Sequence, residues 1–297
     1  MSEASDEPEV CVRTVAYATD FSQCSENAGT YARLLALHFR ARLIVAHAFI
    51  LTQAAMELEA DRRVESQQRK DLMRLLARRA ASLGSDSLHP EPALLEGDPH
   101  HALSEFAERH APSLIVLGTH GGGRVERGVI GSVAESILRS TRWPCLTVGP
   151  MARSLSLSSE ELPFRRILCA TDFTPAAVHA IGFALSLADT CESEFDVLNV
   201  IPERTIEHPD RLTDLKSHFY DALDQSLPKR ARELSQPRTF VEVGNAHDRI
   251  LEHVKDRSID LLVLGIRKTS HLGLEMRTSG AFRVIVEARC PVLTVTG

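Results

Sequence analysis

Residues 114–132 read LIVLGTHGGGRVERGVIGS, and the fold follows from this stretch. Leu114-Ile115-Val116-Leu117 is fully apolar and breaks into glycine at Gly118. A short apolar run bounded by glycine reads as a strand buried on both faces, as in a parallel sheet. VAESILRS follows Ser132, with Val133, Ile137 and Ser140 at helical spacing. The segment Gly118-x2-Gly121-x9-Gly131-Ser132 therefore joins a buried strand to a helix start. Backbone N–H groups at a helix start are unpaired, and the helix dipole favours an anion there. Glycine at 118 and 121 permits a close backbone approach or a positive φ. Gly131-Ser132 places two N–H groups and a hydroxyl at the helix entrance. A plain glycine-rich loop with a serine N-cap suits the same residues, and glycine count alone does not choose. There is no GxxxxGK[ST] phosphate loop and no GxGxxG fingerprint. His120-Gly-Gly-Gly123 looks like the oxyanion loop of esterases, but the chain holds no GxSxG nucleophile elbow.

Outward from this stretch, the chain repeats itself. Arg13–Ser22 matches Arg165–Thr174, both through the tetrapeptide ATDF. Gly97-Asp-Pro-His100 matches Gly244-Asn-Ala-His247, and Leu114–Gly118 matches Leu261–Gly265. Arg142–Val148 matches Arg289–Val295. The order is the same in both halves, so two domains of one fold are expected, over 10–150 and 164–297. The Ser-rich stretch 151–163, closed by Pro163, suits a linker. Residues 1–9 read as a disordered, acidic lead-in without the apolar core of a signal peptide.

In the first half, strands are expected at Thr14–Ala18, Leu43–Phe49, near Ala93–Leu95, at Leu114–Leu117 and at Cys145–Val148. Helices are expected after Asp20-Phe21-Ser22, with Ala28, Ala32 and Leu35 on one face, and over 53–82, with Leu72, Leu75 and Leu76 apolar. Two more follow, one after Asp98-Pro99 and one at Ser132–Ser140. Alternating strands and helices imply a parallel, doubly wound α/β sheet with right-handed crossovers, five strands to each half. Ligands of such sheets bind beyond the strand C-termini, where strand order reverses. Asp20 follows the first strand and Gly118 follows the fourth. Their adjacency does not follow from the pattern.

Composition bounds the function. The 297 residues allow about two domains. The net charge of -6 and the lack of a basic stripe argue against nucleic acid. No apolar run is long enough to span a membrane. Six cysteines without CxxC spacing read as reduced thiols of a cytoplasmic protein. Cys24, near a helix start, is the best placed for a lone catalytic thiol, against the commoner role of a buried structural one. His100 and His247 match between the halves, which suits a shared structural role. His101 and His110 lack ligand spacing, and no metal site is expected.

The glycine spacing, ATDFS after the first strand and the closing PCLTV resemble the universal stress protein family over nearly the whole chain. The internal repeat resembles its tandem-domain members. The resemblance implies a sheet order of 3-2-1-4-5, which makes the first and fourth strands neighbours. It implies ATP, with or without Mg, in the first half. Ala18, Asp20 and Ala48 would lie at the adenine, and Gly118 and Gly121 would approach the ribose and phosphates. Gly131, Ser132 and Val133 would cradle the phosphates through backbone N–H groups and the serine hydroxyl. Arg124 and Arg127 either reach phosphate or are solvated surface charges, the second being favoured. The second half keeps Asp172, Gly265 and Ser279 but has Lys268 and Thr278 where the glycines stood. That site is expected to be empty, or to hold phosphate through Lys268 as a point charge.

The expectation is thus a nucleotide-binding stress or regulatory protein, with ATP as signal and a protein partner the sequence does not identify. A nucleotide-free interaction protein of this fold and a slow ATP hydrolase are the alternatives. Adenylating enzymes of the related fold carry SGGxDS where ATDFS stands here. No catalytic residue is assigned: Asp20 belongs to the adenine end and Glu126 merely lies in the loop. Leu146-Thr-Val148 and Leu293-Thr-Val295 are short apolar closing strands. As sheet edges they need cover, so the two halves are expected to pair through them within one chain. A homodimer of chains stays open.

Overall fold

The computed structural model describes residues 11–50, 59–121, 130–205, 212–226, 237–266 and 280–296. In the first half, β1 (Thr14–Ala18), α1 (Gln23–Phe39), β2 (Arg42–Phe49), α2 (Glu59–Ser82) and β3 (Glu91–Glu96) come first. They are followed by α3 (Pro99–His110), β4 (Leu114–Gly118), α4 (Ser132–Ser140) and β5 (Cys145–Val148). The second half repeats the order with β6 (Arg166–Thr171), α5 (Pro175–Thr190), β7 (Glu194–Ile201), α6 (Leu212–Ser226) and β8 (Arg238–Val243). It closes with α7 (Ala246–Asp256), β9 (Leu261–Ile266), α8 (Gly280–Glu287) and β10 (Val292–Thr296). A single 3-10 turn, Glu203–Thr205, follows β7.

The ten strands form one sheet in the order β3-β2-β1-β4-β5-β10-β9-β6-β7-β8. Within each half every pairing is parallel. The halves meet at β5 and β10, which pair antiparallel with Leu293 opposite Leu146. Two threonines fasten this seam: Thr147 donates to the Val292 carbonyl (3.0 Å) and Thr294 to the Cys145 carbonyl (3.2 Å). The outer strands are β3 and β8. Glu91, Pro92 and Glu96 blunt the first, and Arg238 and Glu242 the second.

Alternate residues of each strand face opposite layers. Val15, Tyr17, Val45 and Val116 pack on one side with Ala28, Ala32 and Leu35 of α1, in a cluster that runs on into the second half. Ala16, Ile44, Ile115 and Leu117 face the other way, toward Phe106 of α3 and Ile137 and Leu138 of α4. Helix starts follow local chemistry. Ser22 and Thr174 cap α1 and α5 through their hydroxyls, and Asp98 and Asn245 cap α3 and α7. His100 and His247 both donate their backbone N–H to those last two caps, but among the described residues only the His247 side chain pairs with carboxylates, those of Asp248 and Glu287. In α2, Leu76 is buried but Leu75 is 44% exposed, so the apolar face expected there is narrower. Residues 53–58 of that expected helix lie outside the described residues.

Residues 151–163 run as a strap along α1. Tyr31 Oη donates to the Arg153 carbonyl (2.9 Å) and the Arg33 guanidinium to the Ser159 carbonyl (2.8 Å). Phe164, 2% exposed, then stacks near Tyr31 at 6.2 Å. Among the described residues no helix is long and apolar enough to cross a membrane.

Candidate functional site

β1 lies beside β4, with Ala18 paired to Leu117, and the strand order reverses between them. After Ala18 the chain turns sharply. Thr19 Oγ1 accepts the Phe21 N–H (3.0 Å), and Phe21 takes the left-handed φ of 61°. Asp20 Oδ1 accepts the Ser22 N–H (3.0 Å). Ser22 then caps α1 and also donates its hydroxyl to the His120 carbonyl (3.2 Å), tying the helix start to the segment beyond β4.

These turns enclose a cleft of about 240 Å³. Ala18, Asp20, Ala48, Gly118, Gly121, Gly131, Ser132 and Val133 all line it. Its inner end is apolar, made by Ala46, Ala48, Leu103 and Leu117. His47 Nδ1 lies 2.8 Å from the Thr19 carbonyl, which only accepts, so Nδ1 carries hydrogen. The Phe21 ring packs on that imidazole at 4.6 Å. The outer end is the start of α4. Among the described residues nothing accepts the N–H of Ser132, Val133 or Ala134, and the Gly131 cap offers no side chain. Three donors in the first turn of a helix form an anion-binding corner.

Packing within the protein accounts for part of the glycine pattern. Neither Gly118, Gly121 nor Gly131 has positive φ. A Cβ on Gly118 would stand 2.9 Å from the Ser25 nitrogen and 3.0 Å from the Cys24 carbonyl carbon. Gly118 must therefore be small to admit α1, while it also lines the cleft. Gly265 shows the same need, its missing Cβ colliding with Ala176 O and Ala177 N. Its persistence in the second half is a packing requirement and says nothing for a ligand there. A Cβ on Gly131 would press the Thr119 carbonyl at 3.0 Å, because the Gly131 N–H donates to that oxygen (2.7 Å). That N–H is spent within the protein and is not available for the phosphate contact expected of Gly131. The helix cap is Gly131, not Ser132, whose exposed side chain makes no cap bond. Gly121 faces Asp20, with a Cβ reaching 2.6 Å from Oδ2.

Thr119, His120, Pro99, Leu103 and His47 join the cleft without having been singled out as ligands. The first two lie inside the glycine segment, and position alone flagged them. Leu103 and Pro99 come from α3, which no motif ties to the site. Burial pushes the Cys24 thiol up, which leaves it a poor nucleophile. Arg124, Glu126, Arg127, Lys268, Thr278 and Ser279 lie outside the described residues. Among the described residues no group of three metal-ligating side chains occurs.

The second half differs at the corresponding cleft. Ala18 pairs with Ala46, and Ala170, its counterpart in ATDF, pairs with Leu198. Leu198 thus stands in the place of Ala46, Asn199 in that of His47 and Val200 in that of Ala48. Asn199 keeps the bond to the turn, donating to the Thr171 carbonyl (2.9 Å). The two small residues that bound the first cleft's apolar end have become branched ones.

Two doubly wound five-stranded units, each with a crevice where its strand order reverses, define the class of fold as α/β. The chain belongs to the universal stress protein family, whose model matches residues 12–149 and again 163–296. A universal stress protein of Methanocaldococcus jannaschii is 43% identical over 61 residues, covering 20% of this chain and 35% of that protein. One from Bacillus subtilis is 26% identical over 148 residues, 44% of this chain and 99% of its own length. The crystal structure of a universal stress protein from Archaeoglobus fulgidus superposes with a TM-score of 0.68 at 18% identity. It covers 95% of this chain and 98% of its own. A putative universal stress protein from Pseudomonas aeruginosa gives 0.58 at 14% identity, with 97% and 94% covered. These likenesses share the fold.

Proposed function

We propose that the chain is a nucleotide-responsive regulatory protein which binds one ATP in its first half. The observation that carries this reading is the cleft itself, with an apolar slot at one end and the unpartnered N–H groups of α4 at the other. An adenine suits the slot between Ala48 and Leu103, and a phosphate suits the helix start. Mg would enter on the ATP phosphates, since no protein carboxylate cluster is present among the described residues to hold it alone. ATP acts as a signal in this reading. The titratable side chains lining the described cleft are Asp20, His47 and His120, and each is engaged by the protein's own backbone or hydroxyl groups. Leu198 and Val200 leave the second half as the nucleotide-free partner that pairs with the first along β5–β10.

Calorimetry on the full chain tests this, together with mass spectrometry of any nucleotide that copurifies. The expected stoichiometry is one ATP per chain. Two equal sites, or no binding at millimolar ATP, would refute it.

A further inference from the structure

His120, one of the residues that line the cleft, carries a buried polar atom for which the protein supplies no partner. His120 is 7% exposed, and its Nε2 meets neither a donor nor an acceptor. Its Nδ1 lies 2.9 Å from Thr119 Oγ1, and Thr119 is fully buried. That one contact settles what Nε2 can do. Among the described residues the Thr119 hydroxyl makes no other hydrogen bond, so its hydrogen is satisfied only by pointing at Nδ1. Nδ1 is then the acceptor, and the neutral ring carries its hydrogen on Nε2. In the imidazolium both nitrogens carry hydrogen, so Nε2 is again a donor. The arrangement that would make Nε2 an acceptor strands the buried Thr119 hydroxyl hydrogen, which costs a hydrogen bond.

His120 therefore carries one more donor beside a cleft that already has the N–H groups of Ser132, Val133 and Ala134. Its backbone is held in place from two sides. The His120 carbonyl accepts from Ser22 Oγ, and the carbonyl of the preceding Thr119 accepts the Gly131 N–H. A buried donor left without an acceptor is a rare and costly feature in a folded protein. It is explained if the acceptor arrives with the ligand. We propose that His120 Nε2 is a phosphate-contacting group of this cleft, donating to the phosphate nearest the nucleoside together with the first turn of α4. The proposal rests on the nucleotide reading above and adds to it a residue and a chemical preference, for a nucleoside that carries at least one phosphate.

The test uses the full chain and three probes: ATP, AMP and adenosine. His120→Asn keeps an acceptor where Nδ1 was, so the Thr119 bond survives, but it removes Nε2. His120→Gln reaches the Nε2 position with an amide N–H. Calorimetry should find ATP and AMP weakened by roughly ten- to a hundredfold in His120→Asn, the loss of one bond to a charged acceptor. Adenosine should bind as in the parent, and His120→Gln should recover part of the loss. A merely structural role would weaken adenosine as much as AMP, and that outcome overturns the proposal, as does an Asn variant that binds AMP like the parent. A second measurement does not depend on any variant folding. In the parent labelled with 15N-histidine, the His120 Nε2 resonance should move on adding AMP and not on adding adenosine; an unmoved resonance with AMP bound overturns the contact. If the parent binds none of the three probes, the nucleotide reading falls first and the contact with it.

Discussion

Replacing Gly118 by alanine separates packing from ligand binding. The new Cβ would lie 2.9 Å from Ser25 N, 3.0 Å from Cys24 C and 3.1 Å from Cys24 Cβ. Comfortable carbon contacts begin at about 3.5 Å. All three atoms belong to the first turn of α1, so no side-chain rotation relieves them. That turn is itself pinned, by the Ser22 cap and by Tyr17 Oη donating to the Ser25 carbonyl (2.6 Å). Overpacking of this kind costs about 1–3 kcal/mol. Gly121→Ala gives a different result. Among the described residues its Cβ meets only the Asp20 carboxylate, the end of an exposed side chain and not backbone, so the change in stability should stay within about 0.5 kcal/mol. The chain has a single tryptophan, Trp143, just ahead of β5, so urea unfolding followed by its fluorescence reports on the first half. Gly118→Ala should lower the urea midpoint at constant m-value, and Gly121→Ala should not. Gly265→Ala should destabilise the second half at least as much as Gly118→Ala does the first. Equal midpoints for the two first-half variants, or a neutral Gly118→Ala, would refute the assignment of Gly118 to packing.

Three further outcomes are expected. Ala46→Leu with Ala48→Val copies the second half's slot into the first and should weaken ATP by about ten- to a hundredfold; calorimetry showing parental affinity would sink the steric account of the empty half. Asp196, 1% exposed, stands where the first half has Ile44; burial alone raises its carboxyl, but His253, Arg238 and Arg257 outweigh burial and hold it below the usual value. A lowered folded pKa gives stability that is complete above the unfolded value of about 3.9 and is lost as pH falls through the folded one, so the second half should loosen below about pH 4. Hydrogen exchange in β7 and β8 should show this, and Asp196→Asn should flatten the dependence; an unchanged pH profile would contradict it. Leu293→Ala at the seam should cost about 2–5 kcal/mol and speed amide exchange in β5 and β10 together, whereas faster exchange in β10 alone would mean that the seam does not couple the halves.

The fold was legible because its signals are local and repeated. The ATDF turns, the apolar run at Leu114 and the Asp98-Pro99 helix start each act within a few residues, and each occurs in both halves or at a helix boundary. The neighbourhood of β1 and β4 was not legible from the pattern, since strand order is a long-range property, and it entered through the family resemblance. The glycines of the spacing line one cleft, and packing accounts for part of their pattern. Sequence shows that Gly118 lacks a side chain but not which body occupies the space, and here it is the backbone of α1. The capping of α4 by Gly131 and the spending of its N–H on Thr119 depend on how the segment folds back, which no spacing encodes. His120 stood in plain view between two glycines, yet its interest lies in an unpaired atom, which exists only once burial is known.

The seam between β5 and β10 also bears on how the two halves can differ. In a symmetric pair of identical chains, every substitution lands on both sides of the axis at once. Here the pair is covalent, so a change at position 198 or 200 has no counterpart at 46 or 48. One cleft can close, and one core can take on a buried aspartate, while the other keeps its small residues. Fusion along the sheet has made a symmetric scaffold into one with two independently variable sites.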